Sequence, residues 1–213
     1  MTDNKNDGAF FDMTQPAAFM NYGGLTEMKA YKGDQNKKYG GEFVLDPSNP
    51  DLAKMKELAK QVARARWGES VDLNTIEWPF KNGNKLSADR VAKGKQGDLY
   101  NGKVVMRPRS KFAIEMVWEE NGALVKTTSD TALAKSVAGQ RFYPGVQALG
   151  SLKFVAMDEP RKLVAVYLNK VFSTGEGERV GGRSAEEAFK GYIGRAKTED
   201  PTRGKVADDD IPF

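Results

Sequence analysis

The amino-acid sequence predicts a mainly β protein, a small β-barrel with two added α-helices and long loops. Runs in which apolar and polar residues alternate recur along the chain, and turn-forming residues separate them, which is the pattern of half-buried strands. Only two stretches combine helical spacing with strong capping signals. The sequence contains no internal repeat and no heptad pattern. These observations favour a Greek-key barrel over a sandwich, which would have no helices.

The first 45 residues are predicted to form an interrupted strand and a hairpin. Residues 1–8 are polar, and we expect them to be disordered because they offer little apolar surface to bury. Residues 9–19 have the pattern of a strand interrupted by Pro16, since proline cannot donate a ladder hydrogen bond. Residues 25–45 are predicted to form the first hairpin, with a basic loop between its arms.

Residues 50–67 carry the clearest helix signal. Asn49 is a favourable N-cap, and Pro50 suits the first helical position. Apolar residues follow at helical spacing until Gly68, which predicts a helix of about five turns. The lysines and arginines of this helix are interpreted as a solvated face, and Trp67 as part of the core.

The middle of the chain is predicted to be a long loop followed by strands. Residues 72–103 combine turn-forming dipeptides with positive charge and are interpreted as a functional or flexible loop. A strand at 104–106 continues, after Arg107-Pro108-Arg109, into a half-buried strand at 112–118. Asn121-Gly122 then predicts a hairpin turn. The side chains expected on the buried face of the second strand are Phe112, Ile114, Met116 and Trp118.

The last third of the chain is predicted to contain the longest strands. Residues 129–137 are predicted to form a short helix or a turn. Long strands follow at 142–157 and 162–172, the second being the run richest in β-forming residues. A capping box at Ser184 predicts a helix that continues to residue 193.

These elements define the predicted domain organisation. Residues 9–194 are assigned to a barrel domain of the OB-fold type. Residues 195–213 are assigned to a flexible tail that ends in an acidic tip, because they contain few apolar groups that could offset the entropy of ordering.

Composition excludes several function classes. The chain has no cysteine and no histidine, which rules out disulfides, structural zinc sites of the usual kind, thiol nucleophiles and Ser-His-Asp triads. No metal and no cofactor are predicted. The N-terminus lacks the features of a signal peptide, and no apolar run reaches membrane-spanning length, so we expect no membrane association and a cytoplasmic location. The net charge is +4, and without the three aspartates of the tip the body would carry +7, which suits a polyanionic partner.

Basic residues interleaved with aromatic residues are suited to binding a single strand of nucleic acid. Binding a single strand requires positive charge along the phosphates and aromatic faces on which bases stack. For each aromatic candidate the alternative is a place in the core, and for the arginines around Pro108 the alternative is a solvated bulge. The predicted DNA-binding residues are Lys29, Tyr31, Lys32, Lys37, Lys38, Tyr39, Trp78, Phe80, Lys81, Lys85, Tyr100, Arg107, Arg109 and Lys111.

The last six residues resemble a known docking peptide. The chain ends in Asp208-Asp209-Asp210-Ile211-Pro212-Phe213, which resembles the acidic tip of bacterial single-stranded DNA-binding proteins. The resemblance implies that Ile-Pro-Phe enters an apolar pocket on replication, recombination or repair proteins while basic residues around that pocket meet the carboxylates. The alternative is a solvated acidic tail.

A second resemblance covers most of the chain. It is carried by Phe142-Tyr143-Pro144-Gly145, by the run from Lys153 to Asp158, and by Gly181-Gly182-Arg183-Ser184 with Glu186, Glu187 and Phe189. In this order these residues resemble the phage-encoded single-stranded DNA-binding proteins with a decorated OB fold. The resemblance implies that the chain coats single strands without strong sequence preference during phage DNA replication and recombination.

One enzymatic alternative remains from the residues themselves, a magnesium-dependent nuclease that uses carboxylates alone. Asp158-Glu159, Glu119-Glu120 and Glu186-Glu187 are acidic pairs, but each has a structural reason in a turn or a capping box. The sequence therefore favours a binding protein that is not an enzyme. It leaves open whether copies of the chain form a homo-oligomer or assemble cooperatively on DNA.

Overall fold

The computed structural model describes residues 8–30, 36–158 and 161–181, and these form eleven strands and three α-helices. The strands are β1 (Ala9–Asp12), β2 (Ala17–Met20), β3 (Tyr39–Gly40), β4 (Glu42–Leu45), β5 (Phe80–Asn82), β6 (Val104–Met106), β7 (Arg109–Ser110), β8 (Glu115–Glu120), β9 (Ala123–Thr128), β10 (Val146–Met157) and β11 (Leu163–Ser173). The helices are α1 (Pro50–Trp67), α2 (Gly83–Val91) and α3 (Ala132–Arg141). Of the predicted disordered segment 1–8, residues 1–7 lie outside the described residues, as do the predicted helix at 184–193 and the predicted tail at 195–213.

The sheet curls into a five-stranded barrel. In chain order the barrel strands are β1/β2, β3/β4, β6/β7, β10 and β11, where each pair joined by a slash is one strand with a short interruption. β2 pairs with β4 and β4 with β6, β7 pairs with β11, β11 with β10, and β10 with both β1 and β2. All of these pairs are antiparallel except β7 with β11. The pairing thus returns to its start in the order expected of an OB fold, which confirms the predicted fold class.

The barrel interior is filled by large apolar side chains from every barrel strand. Phe19, Phe43, Met106, Phe154 and Leu168 are fully buried there. The ring centroids of Phe19 and Phe43 lie 4.9 Å apart, and the two ring planes are tilted by 52° relative to each other. Helix α1 packs its buried apolar stripe against β10, so the predicted helix at 50–67 has both the bounds and the role expected of it.

A buried carboxylate ties α1 to the turn between β1 and β2. Asp51 is fully buried, and its carboxylate accepts hydrogen bonds from the backbone N–H groups of Thr14 (2.6 Å) and Gln15 (2.8 Å) and from the Thr14 hydroxyl (2.9 Å). Burial alone would raise the pKa of Asp51, but these donors outweigh it and hold the pKa below its ordinary value of 3.8. The charged form is therefore the stabilising one.

We expect Asp51→Asn to lower the free energy of unfolding by about 1–3 kcal/mol at pH 7, because an amide cannot accept all of these hydrogen bonds. A folded-state pKa that is depressed gives stability that is present above the unfolded pKa of 3.8 and is lost as pH falls through the folded pKa. The difference between wild type and variant should therefore shrink below pH 4. Urea unfolding at several pH values measures it, and a difference that stays constant down to pH 2.5 would contradict this role.

The segment 72–103 is not the long loop that the sequence predicted. It contains β5, α2 and two short 3-10 helices at 73–75 and 98–100. The side chain of Asn82 caps α2 by accepting hydrogen bonds from the N–H groups of Asn84 and Lys85. Gly83 is required there because a Cβ would lie 2.1 Å from the carbonyl oxygen of Tyr100. The Asn82-Gly83 dipeptide, interpreted as a turn, is thus a helix start packed tightly against a neighbouring turn.

The strand β8 and the helix α3 begin at other residues than the sequence predicted, whereas the hairpin after β8 agrees with the prediction. The Asn121-Gly122 hairpin joins β8 to β9 as predicted, with φ values of 53° and 77° that suit its tight turn. Ile114, Met116 and Trp118 are buried as predicted, but Phe112 is 82% exposed. Its N–H group bonds to the Ser110 hydroxyl in a bend that precedes β8, so it lies outside the strand. The segment predicted as a helix or turn at 129–137 overlaps helix α3, which begins three residues later, at Ala132, and ends at Arg141.

Candidate nucleic-acid interface

An OB-fold barrel binds oligonucleotides on the outer face of its second and third strands and on the loops that follow its first and fourth strands. In this chain the face belongs to β3/β4 and β6/β7. Helix α2 and the 3-10 helix after it pack against part of that face, where Met20, Val44, Tyr100 and Val105 form a second buried cluster. The covered part lies over β4 and β6. The part near β3 and β7 is lined by charged and aromatic side chains.

A hydrogen-bonded network lies at the border between the covered and the open part. The Tyr100 hydroxyl donates to the Glu42 carboxylate (2.8 Å) and lies 2.8 Å from the Tyr22 hydroxyl, which therefore donates to it. The other oxygen of Glu42 lies 2.7 Å from Nε of Arg107. The Arg90 guanidinium stacks over both tyrosine rings, 5.3 and 5.1 Å from their centroids. Burial, followed by the Glu42 charge, raises the pKa of Tyr100, so its hydroxyl stays protonated and remains a donor.

This network corrects one predicted contact. Tyr100 was expected to stack on a base, but it is only 1% exposed and its ring is part of the second cluster. The aromatic ring that reaches the surface at this point is Tyr22, which is 41% exposed. The predicted DNA-binding residues include neither Tyr22 nor Arg90, because these two become neighbours only when the turn after β2 meets α2. No local pattern reports that contact.

Three predicted basic residues lie together on the open part. Lys29 and Lys38 face each other in a β-bridge at the base of the loop that joins β2 to β3, and the Lys29 ammonium donates to the carbonyl of Tyr22. The side chain of Arg109 lies over Gly40, where a Cβ would be 2.9 Å from the Arg109 Cδ. Burial lowers the pKa of Arg109 to about 10, which leaves it charged at neutral pH.

The other predicted DNA-binding residues near the open part differ in their exposure to solvent. Lys37 and Lys111 are exposed. Tyr39 is half-buried and packs against the main core, so it presents only part of its ring to solvent. Tyr31 and Lys32 lie outside the described residues.

A second basic surface is a cleft between α1 and the β5–β6 edge, with a volume of about 540 Å³. The predicted residues Trp78, Phe80 and Lys81 line it, and both aromatic rings are half-buried against the main core. Trp78 donates its indole N–H to the carbonyl of Leu73 (3.1 Å). Lys81 pairs with Glu77 (2.7 Å), whose pKa is lowered chiefly by that hydrogen bond.

The sequence interpretation missed the other lysines of the cleft. Lys56 and Lys60 of α1 line it together with Lys103, which pairs with Asp46 (2.6 Å). The two helix lysines are four residues apart and therefore on one face, a signal that was interpreted as solvation alone. Lys85 is exposed on the first turns of α2, outside the cleft lining.

Two features typical of other protein classes are absent from the described residues. Within residues 8–30, 36–158 and 161–181, no three acidic side chains converge in a way that could hold a metal ion. Among the helices of the same residues, none is long and apolar enough to span a membrane.

Comparison with known structures shows the same fold in phage proteins. The single-stranded DNA-binding protein from bacteriophage Enc34, in complex with ssDNA, superposes with a TM-score of 0.61 at 13% identity, over 81% of this chain and 89% of that chain. The C-terminally truncated Enc34 protein gives 0.58 at 12% identity, over 80% and 88%. The crystal structure of gp2.5, a single-stranded DNA-binding protein encoded by bacteriophage T7, gives 0.50 at 13% identity, over 94% and 99%.

Sequence comparison assigns the family. No curated protein matches the chain. The family model described as the ssDNA-binding protein of Enterobacter phage Enc34 matches residues 15–202, which include every barrel strand except β1. The chain belongs to the family of phage single-stranded DNA-binding proteins represented by that of Enterobacter phage Enc34.

Proposed function

We propose that this protein coats single-stranded DNA without strong sequence preference during phage DNA replication and recombination, in the cytoplasm of the bacterial host. The observation that carries the proposal is the family match over residues 15–202. The open part of the β3/β4 and β6/β7 face supports it, since that face is where OB folds bind oligonucleotides. Because phosphates are common to all sequences, contacts from lysine and arginine give affinity without sequence preference.

Two basic surfaces are available to a single strand. The open face offers Arg107, Arg109, Lys29 and Lys38 near the exposed ring of Tyr22. The cleft beside α1 offers lysines and the half-buried ring of Trp78. The open face is the favoured main contact because it lies on the strands that define the OB-fold binding surface, whereas three of the four cleft lysines, Lys60, Lys81 and Lys103, are held in ion pairs.

A titration of end-labelled oligonucleotide with and without magnesium tests the proposal against the nuclease alternative. A saturable complex whose oligonucleotide remains intact is expected in both conditions. Cleavage that depends on magnesium would replace the proposal with an enzymatic function.

We further propose that the tip recruits replication, recombination or repair proteins by inserting Ile211-Pro212-Phe213 into an apolar pocket. Support comes from chemistry: phenylalanine offers a large apolar surface, and proline lowers the entropy lost on binding. Phe213→Ala should abolish capture of a host replication protein, because the apolar anchor of the tip is lost. DNA affinity should stay within about twofold of the wild-type value, because all three aspartates remain and the charge of the tip is unchanged. If the variant captures the host protein as well as the wild type does, the recruitment proposal is contradicted and the tip is a solvated acidic tail.

A further inference from the structure

Four side chains lie in register across four neighbouring strands of the barrel. Phe10 on β1 is opposite Lys153 on β10, Lys153 is opposite Tyr167 on β11, and Tyr167 is opposite Arg109 on β7. Residues directly opposite each other on paired strands project from the same face of the sheet. These four residues are called the transverse row below.

The transverse row projects outward from the barrel. Side chains alternate between the two faces of a strand, and the residues on either side of Lys153 are Leu152 and Phe154, both fully buried in the interior. On β11 the residues that flank Tyr167, Val166 and Leu168, are buried in the same way. The row therefore projects from the outer face of the barrel, where Phe10 is exposed and Lys153, Tyr167 and Arg109 are half-buried.

The row alternates aromatic rings with cations. Phe10 is 64% exposed, and the Lys153 ammonium lies 5.3 Å from the centroid of its ring. Tyr167 is half-buried, with its hydroxyl 3.7 Å from the sulfur of Met157. Arg109 follows on the next strand and lies over Gly40, whose missing side chain leaves room for it. The row thus ends on the open part of the β3/β4 and β6/β7 face.

The spacing of the row suits a single strand of nucleic acid. Neighbouring strands are about 4.8 Å apart, so Phe10 and Tyr167 are separated by roughly 10 Å across the sheet, as are Lys153 and Arg109. A strand that crosses the barrel along the row meets a ring and a cation in turn. On one flank of the row the outward side chains are Val155 and Ala165, which are too small to block a base.

We propose that the transverse row is a track for single-stranded DNA, on which Phe10 and Tyr167 stack against bases while Lys153 and Arg109 bind phosphates. The proposal rests on the proposed function and adds to it a path and three contact residues, Phe10, Lys153 and Tyr167. The path continues the open face around the barrel from β7 to β1. The cation over the Phe10 ring holds an exposed aromatic in place, and a base takes over the face of that ring when DNA binds.

Alanine at either aromatic should weaken binding of a thymidine 20-mer by about 5- to 150-fold, the range for loss of one stacked base. Tyr167→Phe keeps the ring and should bind as the wild type does. Lys153→Ala should reduce the slope of log affinity against log salt by about 0.7, the value for one lost phosphate contact. Leu124→Ala is the matched control, because it truncates an apolar side chain on β9 that is 73% exposed and outside the row.

The outcomes separate this proposal from the function on which it rests. Wild-type protein that binds no single-stranded DNA would refute both. Normal binding by the wild type, by Phe10→Ala and by Tyr167→Ala would refute the track alone. Photo-crosslinking of the wild type to an oligonucleotide that contains 5-iodouracil needs no variant. Adducts at Phe10 or Tyr167 are expected, and adducts confined to Trp78 and Phe80 would overturn the track.

Discussion

Replacing Arg107 and Lys111 together with alanine should weaken binding to single-stranded DNA by about 100-fold at low salt, since each hydrogen bond to a charged group is worth roughly tenfold or more. The two side chains flank Arg109 at the point where β6 passes into β7. Both are exposed, and Arg107 keeps 40% of its side-chain surface accessible despite its ion pair with Glu42. The salt dependence should fall as well, by about 1.4 in the slope of log affinity against log salt.

The control for this variant is Lys126→Ala with Lys135→Ala. These lysines are also exposed, and their removal changes the net charge equally, but they lie on β9 and α3, away from the open face. Fluorescence anisotropy at four salt concentrations measures both variants. If the two double variants lose the same affinity, the effect belongs to net charge and the open face is not a specific contact.

The second large effect is expected at Tyr100. Tyr100→Ala should lower the free energy of unfolding by about 3–5 kcal/mol, the range for a fully buried aromatic. Tyr100→Phe keeps the ring but leaves the Glu42 carboxylate and the Tyr22 hydroxyl without their shared partner, at a cost of about 1–3 kcal/mol. Denaturant unfolding measures both variants.

DNA binding by Tyr100→Ala, measured at a temperature at which the variant is folded, then decides between the two roles of this residue, because this variant loses the ring that Tyr100→Phe would keep for stacking. If Tyr100 lies in the core, the folded variant should bind DNA with an affinity close to that of the wild type. Full stability of Tyr100→Ala together with weakened DNA binding would place Tyr100 in the interface, as the sequence had suggested, and would contradict the packing of the second cluster.

Elements with a local signal could be predicted from the sequence. Helix α1 has a cap, a proline at its first position and a repeating apolar stripe, and the β8–β9 hairpin has its Asn-Gly turn. The long strands β10 and β11 were also predicted, β11 from its richness in β-forming residues. Each of these signals lies within about twenty residues, so no knowledge of tertiary contacts was needed.

Features that depend on distant contacts could not be predicted. Helix α2 is short, and its start was hidden in an Asn-Gly dipeptide that more often marks a turn. The burial of Tyr100 depends on α2 folding over β4 and β6. The transverse row depends on strand register, since Phe10 and Lys153 become neighbours only when β1 pairs with β10. The DNA-binding roles of the basic residues around Pro108 remain predictions, although the strand that precedes them, β6, lies where the sequence pattern indicated.

The most direct test of single-strand binding on the barrel is a pair of titrations, one with a single-stranded oligonucleotide and one with the duplex of the same sequence at the same salt concentration. Stacking requires exposed base faces, whereas the phosphate contribution is common to both forms. Tighter binding to the single strand is expected, with an advantage that persists as salt is raised because stacking does not depend on counterions. Equal affinity for the two forms at every salt concentration would contradict a stacking surface and leave only a basic protein that binds polyanions.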